Sequence, residues 1–172
     1  RITVDVDPSR KPEIIGDIHD LPFEENRFDI VLCTEVLEHV KNPSKAISEI
    51  GRVLKRGGIV ILTTRFVYPI HDAPGDFWRF TEYGLKYLFE GWEIVDFERE
   101  VSTFSTIAVL LQRIIFQTKL RFDKLIKFLL IILVKIFNNI NFLIKKEFGD
   151  IKRESSVSNI MTSGYYIVCR KK

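Results

Sequence analysis

Three ionisable residues, Glu35, Glu38 and His39, follow an apolar run within the stretch FDIVLCTEVLEHV at 28–40. In a helical turn, residues three and four apart share a face, so two carboxylates and an imidazole could converge there. Such a set suits a divalent metal. In the plainer reading, His39 bonds a neighbouring backbone group and Glu35 lines a pocket wall. A second cluster lies in YPIHDAPGDFWRFT, residues 68–81, where His71, Asp72, Asp76 and Arg79 stand among aromatic side chains. His71 is the candidate base for a hydroxyl proton near neutral pH. Arg79 suits an acidic group on a substrate, with Asp76 beside it. The competing reading pairs Asp76 with Arg79 to shape the loop and leaves Trp78 to pack.

These residues need elements to position them. Ile2–Val6 and Glu13–Gly16 read as short strands, and Phe28–Cys33 as a strand, uniformly apolar after Asp29, covered on both faces. Asn42-Pro43 offers an N-cap and a first helical proline. Apolar Ala46, Ile47, Ile50, Val53 and Leu54 continue at helical spacing, and Gly57-Gly58 is expected to close that helix. Ile59–Leu62 is a fourth strand, Thr81 caps a further helix, and Trp92–Phe97 and Gly164–Cys169 are the last strands. Strands alternating with helices predict right-handed βαβ units and a parallel sheet, an α/β fold.

In such sheets ligands bind beyond the carboxyl ends of the strands. Asp5 and Asp7 follow the first strand, Gly16-Asp17 the second, and Thr34-Glu35 the third. Thr63, Thr64 and Arg65 follow the fourth, with Tyr68 and His71 beyond them. An acid after one strand is commonly a turn residue, but polar residues after four strands point to a site. Asp5 fits ribose hydroxyls, with Asp7 as fallback. Asp17 suits an exocyclic amine, and the N–H of Ile18 a ring nitrogen.

Four segments, Asp17–Phe23, Arg27–Val31, Glu35–Val40 and Arg52–Gly58, come in this order at short spacings. Together they resemble class I S-adenosylmethionine-dependent methyltransferases, in the broad group that includes quinone-biosynthesis enzymes. The resemblance covers about residues 1–100 and the last strand. It implies a Rossmann-like, mostly parallel sheet with an antiparallel terminal strand and S-adenosylmethionine as cofactor. It also implies that Asp5 holds the ribose, that Asp17 and Ile18 hold the adenine, and that Thr34 and Glu35 border the methionine portion. In some relatives the pattern of Glu35, Glu38 and His39 is a metal site; in others no metal is implied. The glycine-rich turn of this fold is expected roughly 20 residues before the ribose acid, which here is residue 5. The expectation is therefore a fold without its first strand and glycine turn, binding cofactor poorly or not at all.

Charge is divided along the chain. Residues 1–100 hold 13 Lys/Arg and 19 Asp/Glu, whereas residues 101–172 hold 13 and 4. The segment 119–146 carries seven Lys/Arg against the single acid Asp123, among many Leu, Ile and Phe. Its polar residues gather on one side of a helical wheel. This segment either lies on a membrane interface with cations toward anionic headgroups, or packs on the sheet or a second subunit as a lid. Its aliphatic density disfavours nucleic acid. Two cysteines, Cys33 and Cys169, suggest neither a disulfide framework nor a zinc site, and a reducing, cytoplasmic setting is the default.

The expected organisation is a methyltransferase core over 1–100, a basic helical insertion over 101–161, and a terminal strand over 162–172. The expected reaction is methyl transfer to a small or lipid-linked acceptor, oxygen ahead of carbon or nitrogen. The alternative is a non-catalytic module of the same fold acting in binding or assembly at a membrane surface.

Overall fold

A computed structural model describes all 172 residues and divides the chain into two compact units. The first comprises 1–64, 74–97 and 166–172, and the second 65–73 and 98–165. The second thus takes in residues 65–73 after the fourth strand as well as the whole of the expected insertion.

In the first unit, β1 (Val4–Asp5) pairs in parallel with β2 (Ile14–Ile15). A separate four-stranded sheet contains β3 (Phe28–Thr34), β4 (Leu54–Arg65), β5 (Glu93–Arg99) and β6 (Gly164–Arg170), ordered β3-β4-β6-β5. β3 and β4 are parallel, with Ile30 opposite Ile59 and Thr34 opposite Thr63. Near its start β4 exchanges backbone bonds with Lys171, and just past its end Phe66 bonds to Ser163, so β6 runs antiparallel to β4. This is the Rossmann-like arrangement with an antiparallel terminal strand.

Helix α1 (Pro43–Val53) starts as its sequence dictates. The Asn42 side chain accepts from the Lys45 N–H, and Pro43 needs no partner for a missing donor. Its apolar positions Ala46, Ile47, Ile50 and Val53 are buried on one face. With Leu54, Val60, Leu62 and Ile167, and with Leu85 and Phe89 of the α2 (Glu82–Leu88) region, they form the core. Each of these side chains larger than alanine contributes roughly 1.5–3 kcal/mol. Thr81 caps α2 by accepting from the Gly84 N–H.

Two expectations are corrected. Gly57-Gly58 does not close α1; the helix ends at Val53, and both glycines lie inside β4. The pairing advances two residues on β3, from Phe28 to Ile30, against five on β4, from Leu54 to Ile59, so β4 bulges between them. Gly57 has φ +77°, and a Cβ on Gly58 would meet the Lys55 carbonyl oxygen at 2.8 Å. Glycine serves the bulge, not a helix end. Nor is β3 covered on both faces. It lies at the sheet's edge, and Ile30 and Leu32 are 60 % and 67 % exposed.

The long connection from β2 to β3 is held by one side chain of α1. Arg52 donates to the carbonyls of Phe23 at 2.7 Å and Leu21 at 2.8 Å, and to the Glu49 carboxylate. Glu49 in turn accepts from the Leu21 N–H at 3.1 Å, and its carboxyl is held below the usual range, chiefly by the Arg52 hydrogen bond.

In the second unit, α3 (Thr103–Gln117) packs against α4 (Asp123–Asn139). The inward stripe of α4 is Ile126, Leu130, Val134 and Phe137, and Phe137 meets Phe104 with ring centres 6.0 Å apart. Thr106, fully buried, donates its hydroxyl to the carbonyls of Ser102 and Met161.

A fixed fork of donors serves both carbonyls and the carboxylate, and a lysine cannot. Arg52→Lys is expected to lower the melting temperature by several degrees. Lys55→Ala, which removes an exposed ion pair with Asp29, should leave it nearly unchanged. Equal melting of both variants would show that the fork does not hold the connection.

Candidate functional site

In the first unit, the carboxyl ends of the parallel strands carry the acids. Asp5 ends β1, and Asp17 lies two residues beyond β2, whose Ile15 is opposite Asp5. The Asp5 Oδ1 accepts from the Asp7 N–H at 2.9 Å, and Arg10 lies 3.7 Å from Oδ2. Asp7 itself caps a short 3-10 turn through Ser9. The Asp17 Oδ1 takes the N–H of His19 at 2.8 Å and its Nδ1 at 2.6 Å. The backbone bond from His19 is the largest cause that holds this carboxyl below its usual range. Asp17 is therefore an ionised, exposed acceptor at neutral pH, with Oδ2 left over.

Beyond β3 the chain turns sharply. Glu35 adopts φ +55°, rare for a non-glycine residue. Its N–H bonds to the Thr63 carbonyl, and its Oε1 accepts from the Thr63 hydroxyl at 2.9 Å. Thr34 ends β3 with its side chain exposed. Glu38 follows in a 3-10 turn and is fully buried, with Oε2 accepting from the Thr64 hydroxyl at 2.8 Å. Its Oε1 has no hydrogen-bond partner. Burial pushes the Glu38 carboxyl above its usual range.

The same turn fastens the loop at 74–79. The carbonyl of Glu38 accepts from the N–H groups of Phe77 and Trp78. His39 Nδ1 lies 2.8 Å from the Gly75 carbonyl, a contact in which that nitrogen donates. Trp78 donates from its indole to the Val40 carbonyl at 2.8 Å. Glu35, Glu38 and His39 thus hold three different partners: Thr63, Thr64 and Gly75. Asp76, 2 % exposed at its side chain, forms a two-pronged pair with Arg79 at 2.6 and 2.7 Å.

The second unit has a cavity of about 320 Å³ bordered by Arg65, Tyr68, Glu100, Val109, Arg113 and Phe116, among others. The guanidinium groups of Arg65 and Arg113 lie 4.5 and 4.6 Å from the centre of the Tyr68 ring. Stacking of this kind holds planar cations in place. Arg65 pairs with Glu100 at 2.7 Å, and Glu100 also accepts from Ser163. His71 meets Tyr68 edge-on, with ring centres 5.1 Å apart. Arg113 escaped the reading of the sequence. Its signal is a lone cation inside the apolar run Ile107–Phe116.

For a nucleoside cofactor the donor set fits. Asp5 and Asp17 are acceptors at the ends of adjacent parallel strands, matched to hydroxyl and amine donors. The strained turn at Glu35 presents backbone and carboxylate at the end of the next strand.

Residues 5–62 match a family described as a methyltransferase domain. An uncharacterized protein of Methanocaldococcus jannaschii is 51 % identical over 49 residues, 28 % of this chain and 24 % of that one. A ubiquinone biosynthesis O-methyltransferase of Alkalilimnicola ehrlichii is 49 % identical over 41 residues, 24 % of this chain and 17 % of that protein. The matched segments thus span at most about a quarter of these relatives. Phosphoethanolamine N-methyltransferase 2 of Haemonchus contortus, solved with S-adenosylmethionine, shares the fold at a TM-score of 0.50 and 19 % identity, over 92 % of this chain and 36 % of that one.

Because the folded-state value of Glu38 is raised, its contribution to stability is complete below the ordinary carboxylate range and is lost as pH rises through the folded value. Glu38→Gln keeps the shape without the charge. The variant is expected to gain melting temperature relative to the parent as pH is raised from the acidic range to pH 8. A difference independent of pH would show that Glu38 ionises freely.

Proposed function

We propose, from the match of residues 5–62 to a family described as a methyltransferase domain, that the protein is a class I S-adenosylmethionine-dependent enzyme that transfers a methyl group to a small or lipid-linked acceptor. The observation that carries this reading is the pair of acids, Asp5 and Asp17, at the ends of adjacent parallel strands. Bound S-adenosylmethionine supplies a methyl group on an electrophilic sulfonium. Asp5 would accept from its ribose hydroxyls, Asp17 from its adenine amine, and the Ile18 N–H would face a ring nitrogen. Thr34 and Glu35 would border its methionine portion, with Glu35 held by Thr63.

An oxygen acceptor is favoured by the O-methyltransferase among the relatives. A hydroxyl must lose its proton on methylation, and His71 is the residue we assign to accept it. An acidic group on the acceptor is supported by Arg113. It borders the cavity of the second unit without a carboxylate partner, whereas Arg65 faces Glu100 and Arg79 is forked onto Asp76. Methyl transfer itself mainly requires donor and acceptor to be held in line. Glu35, Glu38 and His39 serve in this reading to shape the site rather than to hold a metal.

Equilibrium dialysis of the full-length protein with radiolabelled S-adenosylmethionine should show saturable binding, weakened about tenfold or more by Asp5→Ala and by Asp17→Ala. Unaltered binding in both variants would remove the assignment of these acids. With a hydroxyl acceptor, His71→Ala is expected to slow methylation about a hundredfold while leaving cofactor binding intact. An unchanged rate would exclude His71 from proton transfer.

A further inference from the structure

Helix α4 has two apolar sides where a helix packed on one neighbour needs one. Ile126, Leu130, Val134 and Phe137 form its inward stripe. On the opposite side, Leu125, Phe128, Leu129, Ile132 and Ile136 are between 41 % and 63 % exposed. At helical spacing these five occupy an arc of roughly 100°, in which Asn139 at the end of the helix is the one polar residue. Phe122, just ahead of the helix, is 72 % exposed as well. Single exposed apolar residues are ordinary, but a continuous helical face of them marks a contact surface.

Charge identifies what the face meets. Lys124 and Lys135 border one side of this arc, both exposed, and the exposed Arg121 precedes the helix. The single acid of α4, Asp123, is already engaged by Lys127 at 3.1 Å. A second copy packed face to face would confront these cations with one another and offer no carboxylate. A bilayer of anionic lipids offers acyl chains to the apolar arc and headgroup charge to the lysines. No helix of the chain is long and apolar enough to cross a membrane, so α4 would lie along the surface.

We propose that the outward face of α4, centred on Leu125, Phe128, Leu129, Ile132 and Ile136 and bordered by Lys124 and Lys135, docks on an anionic lipid surface. The face stands independently of the methyl-transfer reading, since none of its residues belongs to the cofactor set.

Co-sedimentation of the full chain with vesicles tests it. Vesicles of equal parts phosphatidylcholine and phosphatidylglycerol should pellet the protein at low salt, and pure phosphatidylcholine vesicles should bind it at least about tenfold more weakly. The double variant Phe128→Glu, Ile132→Glu should stay in the supernatant. Lys124→Glu with Lys135→Glu, confined to exposed charges that leave the fold intact, should bind about tenfold more weakly or less. Circular dichroism checks that both variants keep their helix. Protein left in the supernatant with the acidic vesicles would overturn the proposal. So would a dimer in sedimentation velocity that Phe128→Glu, Ile132→Glu dissociates.

Discussion

The connection from β2 to β3 depends on the guanidinium of Arg52. Between Gly16 and Arg27 the chain forms no helix and only one isolated bridge, from Asp17 to Asp20, so its backbone groups need partners from elsewhere. Arg52 takes the carbonyls of Leu21 and Phe23, and Glu49 takes the Leu21 N–H. The carbonyls of Arg52 and Val53 take the N–H groups of Asn26 and Arg27. One end of α1 thereby fixes the path that leaves Asp17 and enters β3. The acid that suits an adenine amine owes its position to a side chain more than thirty residues further along the sequence.

A second constraint lies under the turn after β3. A buried carboxylate is costly, and Glu38 has only one oxygen bonded. Its backbone and that of His39 nevertheless hold the loop from Gly75 to Trp78, so the turn joins the end of β3 to the segment carrying Asp76 and Arg79. The polar burst after an apolar strand is thus largely scaffold. A partly exposed acid lies instead at the end of β1 and an exposed one just beyond β2.

Local rules in the sequence reached a good part of this. Asn42-Pro43 and Thr81 announced their helices because a cap is a short-range hydrogen bond. The strands followed from apolar runs, and the acids from their place after them. Gly57-Gly58 misled because a bulge and a helix end both call for glycine, and only the pairing with β3 distinguishes them. The exposure of Ile30 and Leu32 was hidden for a related reason, since an apolar run does not say which neighbours exist. The roles of Arg52 and Arg113 were out of reach of local rules. Their partners lie about 30 residues away for Arg52 and 45 for Arg113, and no spacing rule connects them.

Cys33 sits within the same core, on the inward face of β3. Burial, with the charge of Glu38 adding to it, pushes its thiol up to about 12, and burial alone does the same for Cys169. Neither sulfur carries the negative charge that makes a thiolate attack an alkylating reagent, so both stay silent while the sheet is closed. The sequence thus holds two internal clocks, one on β3 and one on β6. The rate at which either thiol is captured measures how often its strand opens.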